Sequence, residues 1–132
     1  MRKLRKITQE ELNKVLEQHR LWLDTCTRER PLGAPADLSY TDLTGVNLRN
    51  ADLRHVDFYN ANLRRANLRG ANLSNANFTG ANLRGADLAN ADLDHTFFCD
   101  ANLICADLCN TNLTDAFMNG ADLWCAIMDE KA

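Results

Sequence analysis

The sequence contains very little proline, with Pro31 and Pro35 the only two among 132 residues. Beyond residue 35 there is none, so most of the chain is free of proline. Because proline has no backbone N–H to donate, this absence is what an uninterrupted backbone hydrogen-bond ladder requires. The two prolines instead indicate a turn-rich connector over residues 24–35.

Long apolar runs are also missing, which excludes a transmembrane helix and predicts no contact with a membrane. The basic residues 2–6 resemble the start of a signal peptide, but the polar segment 8–11 follows where an apolar region would be needed. We therefore expect a cytoplasmic protein. In a reducing cytosol the five cysteines are expected to be free thiols, not a disulfide framework.

The sequence lacks the usual marks of catalysis. There is no glycine-rich phosphate loop, and the repeat places no Ser or Cys beside both a His and a carboxylate. We expect a protein that is not an enzyme and binds no cofactor. Its length and its 45% hydrophobic content are ordinary for a single structural unit.

What the sequence does contain is a five-residue period that runs through 19 consecutive pentads over residues 36–130. The third position is Leu in 14 pentads, Phe in three and Met in two, and the first is Ala in 14 and otherwise Thr or Val. A period of five fits neither a helix nor a flat strand, so it predicts a solenoid. Alternation along an extended segment sends the first and third residues to the axis.

The number of sides follows from Phe58, Phe78 and Phe98, which recur every 20 residues, with Met118 continuing the series. Twenty residues are four pentads, so a four-sided coil stacks these side chains on one wall. The 19 pentads then make about 4.75 coils and a column about 23 Å tall. The expected fold is an all-β solenoid, a four-sided parallel β-helix.

The motif Ala, Asp or Asn, Leu or Phe, followed by two variable residues, resembles the pentapeptide repeat protein family. The segments 61–65 (ANLRR) and 66–70 (ANLRG) show it clearly, and it covers 95 of the 132 residues. The resemblance implies a right-handed quadrilateral β-helix. It also implies that most bacterial members have no assigned activity, while a subset mimics DNA and binds gyrase.

An N-terminal helix is predicted from Thr8 to about Asp24. Thr8 and Glu11 form a capping box, and Ile7 and Leu12 a hydrophobic staple. One apolar stripe then consists of Leu12, Val15, Leu16, Trp22 and Leu23. We expect residues 1–35 to form a capping helix and connector that cover the open first coil, and residues 36–130 to form the β-helix.

Charge is uneven along the chain. Five arginines form a basic collar in the coils near the cap: Arg49, Arg64, Arg65, Arg69 and Arg84. Residues 86–132 carry one Lys and nine acidic residues. The collar is interpreted as a solvated face or as a contact for an anion or nucleic acid; the net charge of −3 argues against a dedicated nucleic-acid binder.

Several outward positions become apolar near the C-terminus, and we interpret them as an interface: Phe97, Ile104, Phe117, Trp124 and Ile127. No capping helix follows before Ala132, so the last coil is expected to present an open edge beside one contiguous patch. This predicts homodimerisation, end to end or side by side, or binding of another protein. In the alternative, Phe97 and Phe117 tuck back as a local plug.

Cys105 and Cys125 are 20 residues apart and are expected to be neighbours on adjacent coils. Their Cα atoms, about 4.8 Å apart, would lie within disulfide range. Cys99 and Cys109 lie on other walls, and His55 and His95 are two coils apart. We therefore expect no metal site.

Two classes of function remain. One is a non-catalytic scaffold that binds a protein through the C-terminal patch. The alternative is a DNA mimic that binds a DNA-acting enzyme such as gyrase, which would need long rows of acidic side chains. Asp and Asn each occur eight times at the second pentad position, where they are interpreted as structural groups that bond to local backbone. That interpretation favours the scaffold.

Overall fold

The computed structural model describes residues 2–129, with one helix, α1 (Gln9–Thr25), followed by a column of coils. Within these residues the coils contain no long strands. Instead, single residues form parallel bridges with the residue 20 positions later, as in Asp37 with Asp57 and Asp57 with Asn77. Since 20 residues are four pentads, the column is the four-sided parallel β-helix that the sequence predicts.

Each pentad forms one wall of a coil. Wall 1 contains the pentads that start at residues 36, 56, 76, 96 and 116, and wall 2 those that start at 41, 61, 81, 101 and 121. Wall 3 contains the pentads that start at 46, 66, 86, 106 and 126, and wall 4 those at 51, 71, 91 and 111. Walls 1 and 3 are therefore opposite each other.

The core is the inside of the column. The first and third residues of the central pentads are buried, as predicted, with Ala71 and Leu73 both 0% exposed. On wall 1 the buried rings of Phe58, Phe78 and Phe98 stack with centroid separations of 4.7 and 5.3 Å and interplanar angles of 5° and 7°. The aromatic series that set the number of walls thus forms one internal stack.

Backbone hydrogen bonds join each coil to the next. On wall 2, Leu63 N–H donates to Asn82 O (2.7 Å), and Asn82 N–H donates to Ala61 O (2.9 Å). Ala66 N–H donates to Leu63 O (3.0 Å) and closes the turn between walls 2 and 3. This pattern recurs through the column, which explains why a proline would interrupt it.

The chain turns each corner at the fifth pentad residue. From Tyr40 to Cys125 this residue has a positive φ, between 52° and 79°, with Asp115 the exception. Glycine adopts such angles without strain, and asparagine tolerates them better than most residues. The glycines that the sequence places at the fifth position are corner residues, as predicted: Gly45, Gly70, Gly80, Gly85 and Gly120.

One pentad, residues 111–115, departs from the regular ladder that the sequence predicts. Within the described chain, Asp92 forms no bridge to Asn112, although bridges resume with Phe97 and Phe117. At the preceding corner, Asn110 N–H donates to Asp129 Oδ2 (2.9 Å). The Thr111 hydroxyl donates to Leu108 O (2.7 Å). These side-chain bonds stand in place of the regular backbone bonds at this corner.

Helix α1 begins at the predicted cap. Glu11 N–H donates to Thr8 Oγ1 (3.1 Å), and Thr8 N–H donates to Glu11 Oε1 (3.4 Å), which completes the capping box. Leu12 is 2% exposed and belongs to the core cluster of the column. Val15 and Leu16 pack against the same core, so this part of the predicted apolar stripe faces the column.

Buried His19 attaches the helix to the first coils. Its Nδ1 accepts a hydrogen bond from Ala36 N–H (2.9 Å), so its Nε2 carries the proton and donates to Arg54 O (2.9 Å). Its ring also stacks on Trp22, with centroids 5.8 Å apart. Sequence reasoning missed this residue; the available signal was its position seven residues after Leu12 on the buried stripe.

The residues before the helix also contact the column. Arg5 forms a parallel bridge with Thr41, in which Arg5 N–H donates to Tyr40 O (2.7 Å) and Asp42 N–H donates to Arg5 O (2.9 Å). Lys6 Nζ lies 2.6 Å from Asp42 Oδ2 and lowers the pKa of that carboxyl to about 2. The basic segment that resembled a signal peptide therefore pairs with the edge of wall 2.

Substituting corner glycines should separate backbone strain from steric overlap. Gly80 and Gly45 have φ of 70° and 68°, but an added Cβ would overlap Asn60 Oδ1 at Gly80 and meet nothing within 4 Å at Gly45. We expect Gly45→Ala to lower the free energy of unfolding by about 1 kcal/mol, and Gly80→Ala by about 1–2 kcal/mol more. Urea unfolding measures both. Asn60→Gly should remove the additional loss in Gly80→Ala, and equal losses in the two single variants would contradict this reasoning.

Lowering the pH should destabilise the protein through His19. Burial lowers the pKa of His19, so the unfolded chain binds a proton at a higher pH than the folded chain does. This contribution to the free energy of unfolding is complete above the ordinary pKa of about 6.5 and is lost as the pH falls below it, by at most about 1.4 kcal/mol per pH unit.

Urea unfolding between about pH 8 and about pH 5 tests this expectation. His19→Gln should lose the His19 contribution to the slope. His95→Asn, which removes an exposed corner histidine far from the helix, is the control for the loss of a histidine as such. A slope that is the same in His19→Gln as in wild type would show that His19 does not carry the effect.

Candidate protein-interaction surface

The second residue of each pentad shapes the outer surface. Wherever this residue is Asp or Asn, its Oδ1 accepts a hydrogen bond from the backbone N–H two residues later. For example, the Arg84 N–H donates to Asn82 Oδ1 (3.1 Å). All sixteen such residues make this bond: Asp37, Asp42, Asn47, Asp52, Asp57, Asn62, Asn67, Asn72, Asn77, Asn82, Asp87, Asp92, Asn102, Asp107, Asn112 and Asp122. The predicted structural role is confirmed.

Three pentads have an apolar residue at this position and cannot make the bond: Phe97, Phe117 and Ile127. Within residues 2–129, the N–H groups of Cys99 and Asn119 consequently form no hydrogen bond to the side chain two residues earlier. A turn bond of this kind is worth about 0.5–1.5 kcal/mol. These three residues therefore break the local rule of the repeat at a cost in stability.

Phe97 and Phe117 form an exposed pair on wall 1, which we call the aromatic strip. Their rings stack with centroids 4.8 Å apart and planes 8° apart, and they are 39% and 45% exposed. A plug tucked into the corner would be less exposed. The two rings lie one coil apart and together form a flat apolar surface.

The other predicted interface residues lie elsewhere. Ile104 and Trp124 are in the turn that follows wall 2, and Ile127 is on wall 3. Trp124 is 71% and Ile127 54% exposed, while Ile104 is half-buried. We call these three residues the corner cluster. Because walls 1 and 3 are opposite, Phe117 and Ile127 face away from each other, and the five residues form two surfaces, not the one contiguous patch that the sequence suggested.

Acidic residues surround the aromatic strip. Between residues 86 and 129 there are eight Asp and no Lys or Arg. Four of these Asp occupy the second pentad position, and three others lie at the corners beside the strip. Asp94 and Asp115 are in the turns that lead into wall 1, and Asp100 is in the turn that leaves it. All three are exposed, so carboxylates border the strip on both sides.

The basic collar occupies the first three coils. Arg64, Arg65 and Arg84 lie in the turn after wall 2, and Arg49 and Arg69 lie in the turn after wall 3. Arg69 Nη1 lies 3.7 Å from Asp87 Oδ2, and within the described residues it is the one collar arginine with an ion pair. The structure therefore groups these arginines along two corners and leaves most of their charge facing solvent.

The thiols of Cys105 and Cys125 are in contact, as their spacing predicts, and all five cysteines are free. A hydrogen bond with Cys125 raises the pKa of the Cys105 thiol. Within residues 2–129, no cluster of three or more His, Cys, Asp or Glu side chains is arranged to hold a metal ion. In the same residues, α1 is too short and too polar to cross a membrane.

Comparison with known proteins identifies the repeat. The family model for pentapeptide repeats matches residues 36–70, 61–98 and 98–123 with 8 copies. The chain therefore belongs to the pentapeptide repeat family. No curated protein matches the sequence.

Three solved structures illustrate the similarity. HetL of the cyanobacterium Nostoc sp. strain PCC 7120, a pentapeptide repeat protein involved in heterocyst differentiation regulation, is 39% identical over 74% of this chain, with a TM-score of 0.71. The chain spans 47% of HetL.

Rfr23 of the cyanobacterium Cyanothece 51142 is 34% identical, with 80% of this chain and 69% of Rfr23 covered and a TM-score of 0.69. A pentapeptide repeat protein from the Arabidopsis thaliana thylakoid lumen is 28% identical, with 74% and 68% covered and a TM-score of 0.72. These neighbours support the right-handed quadrilateral winding that the sequence resemblance implies.

Restoring the repeat residue at the aromatic strip should recover the missing turn bond. Phe97→Ala and Phe97→Asn both remove the ring, but only Asn supplies an acceptor for Cys99 N–H. We expect Phe97→Asn to be more stable than Phe97→Ala by about 1 kcal/mol, because the backbone geometry of the turn is already that of the other pentads. Thermal and urea unfolding measure the difference. If the two variants are equally stable, the turn bond contributes nothing at this position.

Proposed function

We propose that the protein is a non-catalytic scaffold that binds another protein through the outward residues of its last two coils. The observation that carries the proposal is the pair Phe97 and Phe117. Both replace a turn-forming Asp or Asn with an exposed ring, and the rings stack on the surface. Residues that break a local structural rule without a structural gain are candidates for function.

The repeat restricts where recognition can occur. In the central pentads the first and third residues are buried, and the second and fifth serve the turns. A partner would therefore contact the few outward positions that depart from this pattern. In the last two coils these are the aromatic strip and the corner cluster. Exposed aromatic and branched apolar side chains that are held by a rigid backbone are typical of interaction sites.

A second copy of the chain is the simplest partner. Trp124 and Ile127 project from adjacent walls near the C-terminal end of the column, where Leu113, Met118 and Leu123 of the last coil are only half-buried. Joining two such ends would cover these side chains. We therefore propose homodimerisation through the C-terminal end as one use of the surface.

A DNA mimic that binds a DNA-acting enzyme such as gyrase is the second candidate, and the run of eight Asp without Lys or Arg in residues 86–129 favours it. Against it, four of these Asp each commit one oxygen to a turn. Salt distinguishes the two, since charge-driven binding weakens steeply with ionic strength and apolar docking does not.

By analogy with HetL, we propose that the scaffold acts in regulation. We also propose that it acts in the cytoplasm.

We further propose that α1 and the segment before it act as a cap. The buried Leu12, the two hydrogen bonds of His19 and the Arg5 bridge together cover the edge of the first coil. An unpaired strand edge recruits other chains, so covering the edge of the first coil would prevent association at that end.

Light scattering in reducing buffer tests the proposal. We expect a wild-type dimer and a monomer for Phe117→Asp with Trp124→Asp, because two carboxylates would be buried in the interface. Leu32→Asp with Tyr59→Asp is the matched control, since both residues are exposed and lie outside the surface. A wild-type monomer at all concentrations would exclude the homodimer, and dissociation of the control as well would show a general effect of charge.

A further inference from the structure

We infer that the aromatic strip binds a basic segment of a partner protein, in which Lys or Arg side chains alternate with apolar ones. This inference rests on the proposed scaffold function and adds the chemistry of the partner. It follows from three properties of the strip: its rigidity, its cost to the fold and the charge around it.

The strip is held in place by the backbone ladder. Phe97 N–H donates to Ala76 O (3.0 Å), and Phe98 N–H donates to Phe117 O (2.8 Å). Phe117 N–H donates to Thr96 O (2.9 Å). The two rings are therefore fixed nearly parallel before any partner arrives, which lowers the entropy that binding must overcome.

The strip also weakens the turns that carry it. Sixteen other pentads use this position for a turn bond, so two consecutive coils of wall 1 lack a bond that the repeat supplies elsewhere. Replacing Phe97 and Phe117 by Asn would restore both bonds and keep the fold. Binding by the rings and stability of the turns thus make opposite demands on the same two residues.

The charge around the strip selects a cation. Asp94 lies three residues before Phe97, Asp100 lies three residues after it, and Asp115 lies two residues before Phe117. Three residues span at most about 10 Å, so all three carboxylates are within reach of a side chain that crosses the rings. Residues 86–129 contain no Lys or Arg, and within the described residues the one basic side chain paired with these three carboxylates is His95, whose Nδ1 lies 3.0 Å from Asp94 Oδ1.

A basic segment with apolar residues satisfies both features at once. Its apolar side chains would cover the rings, and its ammonium or guanidinium groups would reach the bordering carboxylates or lie over a ring face. An acidic segment would be repelled, and a purely polar basic segment would leave the rings exposed. The strip therefore favours a partner segment that is both basic and apolar over one that is only basic.

Fluorescence anisotropy with labelled synthetic peptides tests this inference on the full chain. The probe is a peptide of alternating Lys and Leu, and peptides of alternating Lys and Ser and of alternating Glu and Leu are compared with it. We expect the Lys/Leu peptide to bind at least about tenfold more tightly than either of the others.

Two variants and one control locate the binding. Phe97→Asn with Phe117→Asn, and separately Asp94→Asn, Asp100→Asn and Asp115→Asn together, should each weaken binding of the Lys/Leu peptide by about tenfold or more. The control is Asp87→Asn, Asp107→Asn and Asp122→Asn together, which removes the same charge from walls 2 and 3. It keeps the turn acceptors and should change binding by less than about twofold. Unfolding curves confirm that each variant is folded.

The outcomes separate this inference from the proposed function. Equal weakening by both Asp variants, or equal binding of the Lys/Ser peptide, would reduce the effect to general charge attraction and overturn the inference. Tighter binding of the Glu/Leu peptide that is lost in the Phe variant would leave the interface in place with a partner of opposite charge. If the Phe variant binds the Lys/Leu peptide as tightly as wild type does, the strip is not the binding site, and both proposals that rest on it fail.

Discussion

The narrow interior of the column is the constraint on which the rest of the structure depends. Each coil has room for four large side chains and four small ones, and the rings of Phe58, Phe78 and Phe98 show how closely successive layers stack. Because every coil must present the same cross-section to the next, the ladder, the corners and the turn-forming Asp and Asn residues repeat with it. Sequence variation is thereby confined to the outside.

Because variation is confined to the outside, the outward residues differ in how much their substitution costs the fold. An outward residue can change without altering the core, but a residue at the second position also closes its own turn. Phe97 and Phe117 lack that bond, whereas the Asp122–Trp124 turn keeps it, because the Trp124 N–H donates to Asp122 Oδ1 (3.0 Å). The aromatic strip is therefore the part of the surface that costs the fold most, and the corner cluster is mostly compatible with the repeat.

The parts of the fold that follow from the period could be predicted from the sequence. Phe58, Phe78 and Phe98 indicated the number of walls, and Thr8 with Glu11 indicated the start of the helix. The attachment of that helix could not be predicted, because the hydrogen bonds of His19 to Ala36 and Arg54 depend on where the connector places the helix over the coils. The same holds for Arg5, whose bridge to Thr41 has no signal in a segment of basic residues.

The residues of the candidate surface could be identified from the sequence, but their distribution over two separate surfaces could not. The pattern identified Phe97, Phe117 and Trp124 as departures from the repeat, and the 20-residue coil then divided them between walls. The departure of residues 111–115 was not predictable, since Thr111 is of the same type as Thr41 and Thr96, which remain in register. At the preceding corner the Asn110 N–H bonds to the side chain of Asp129, which lies 19 residues later in the sequence.

The interruption in wall 4 affects how the column should come apart. In a solenoid each coil is held only by its neighbours, so cooperativity passes from layer to layer and is weakest where a layer is missing bonds. The last described coil is joined to the rest by three walls, and its amide protons should exchange with solvent before those of the coils below. The last described coil would then be the first to open, while in the closed column the wall 1 bonds of Phe98 N–H to Phe117 O and of Phe117 N–H to Thr96 O keep Phe117 aligned with Phe97.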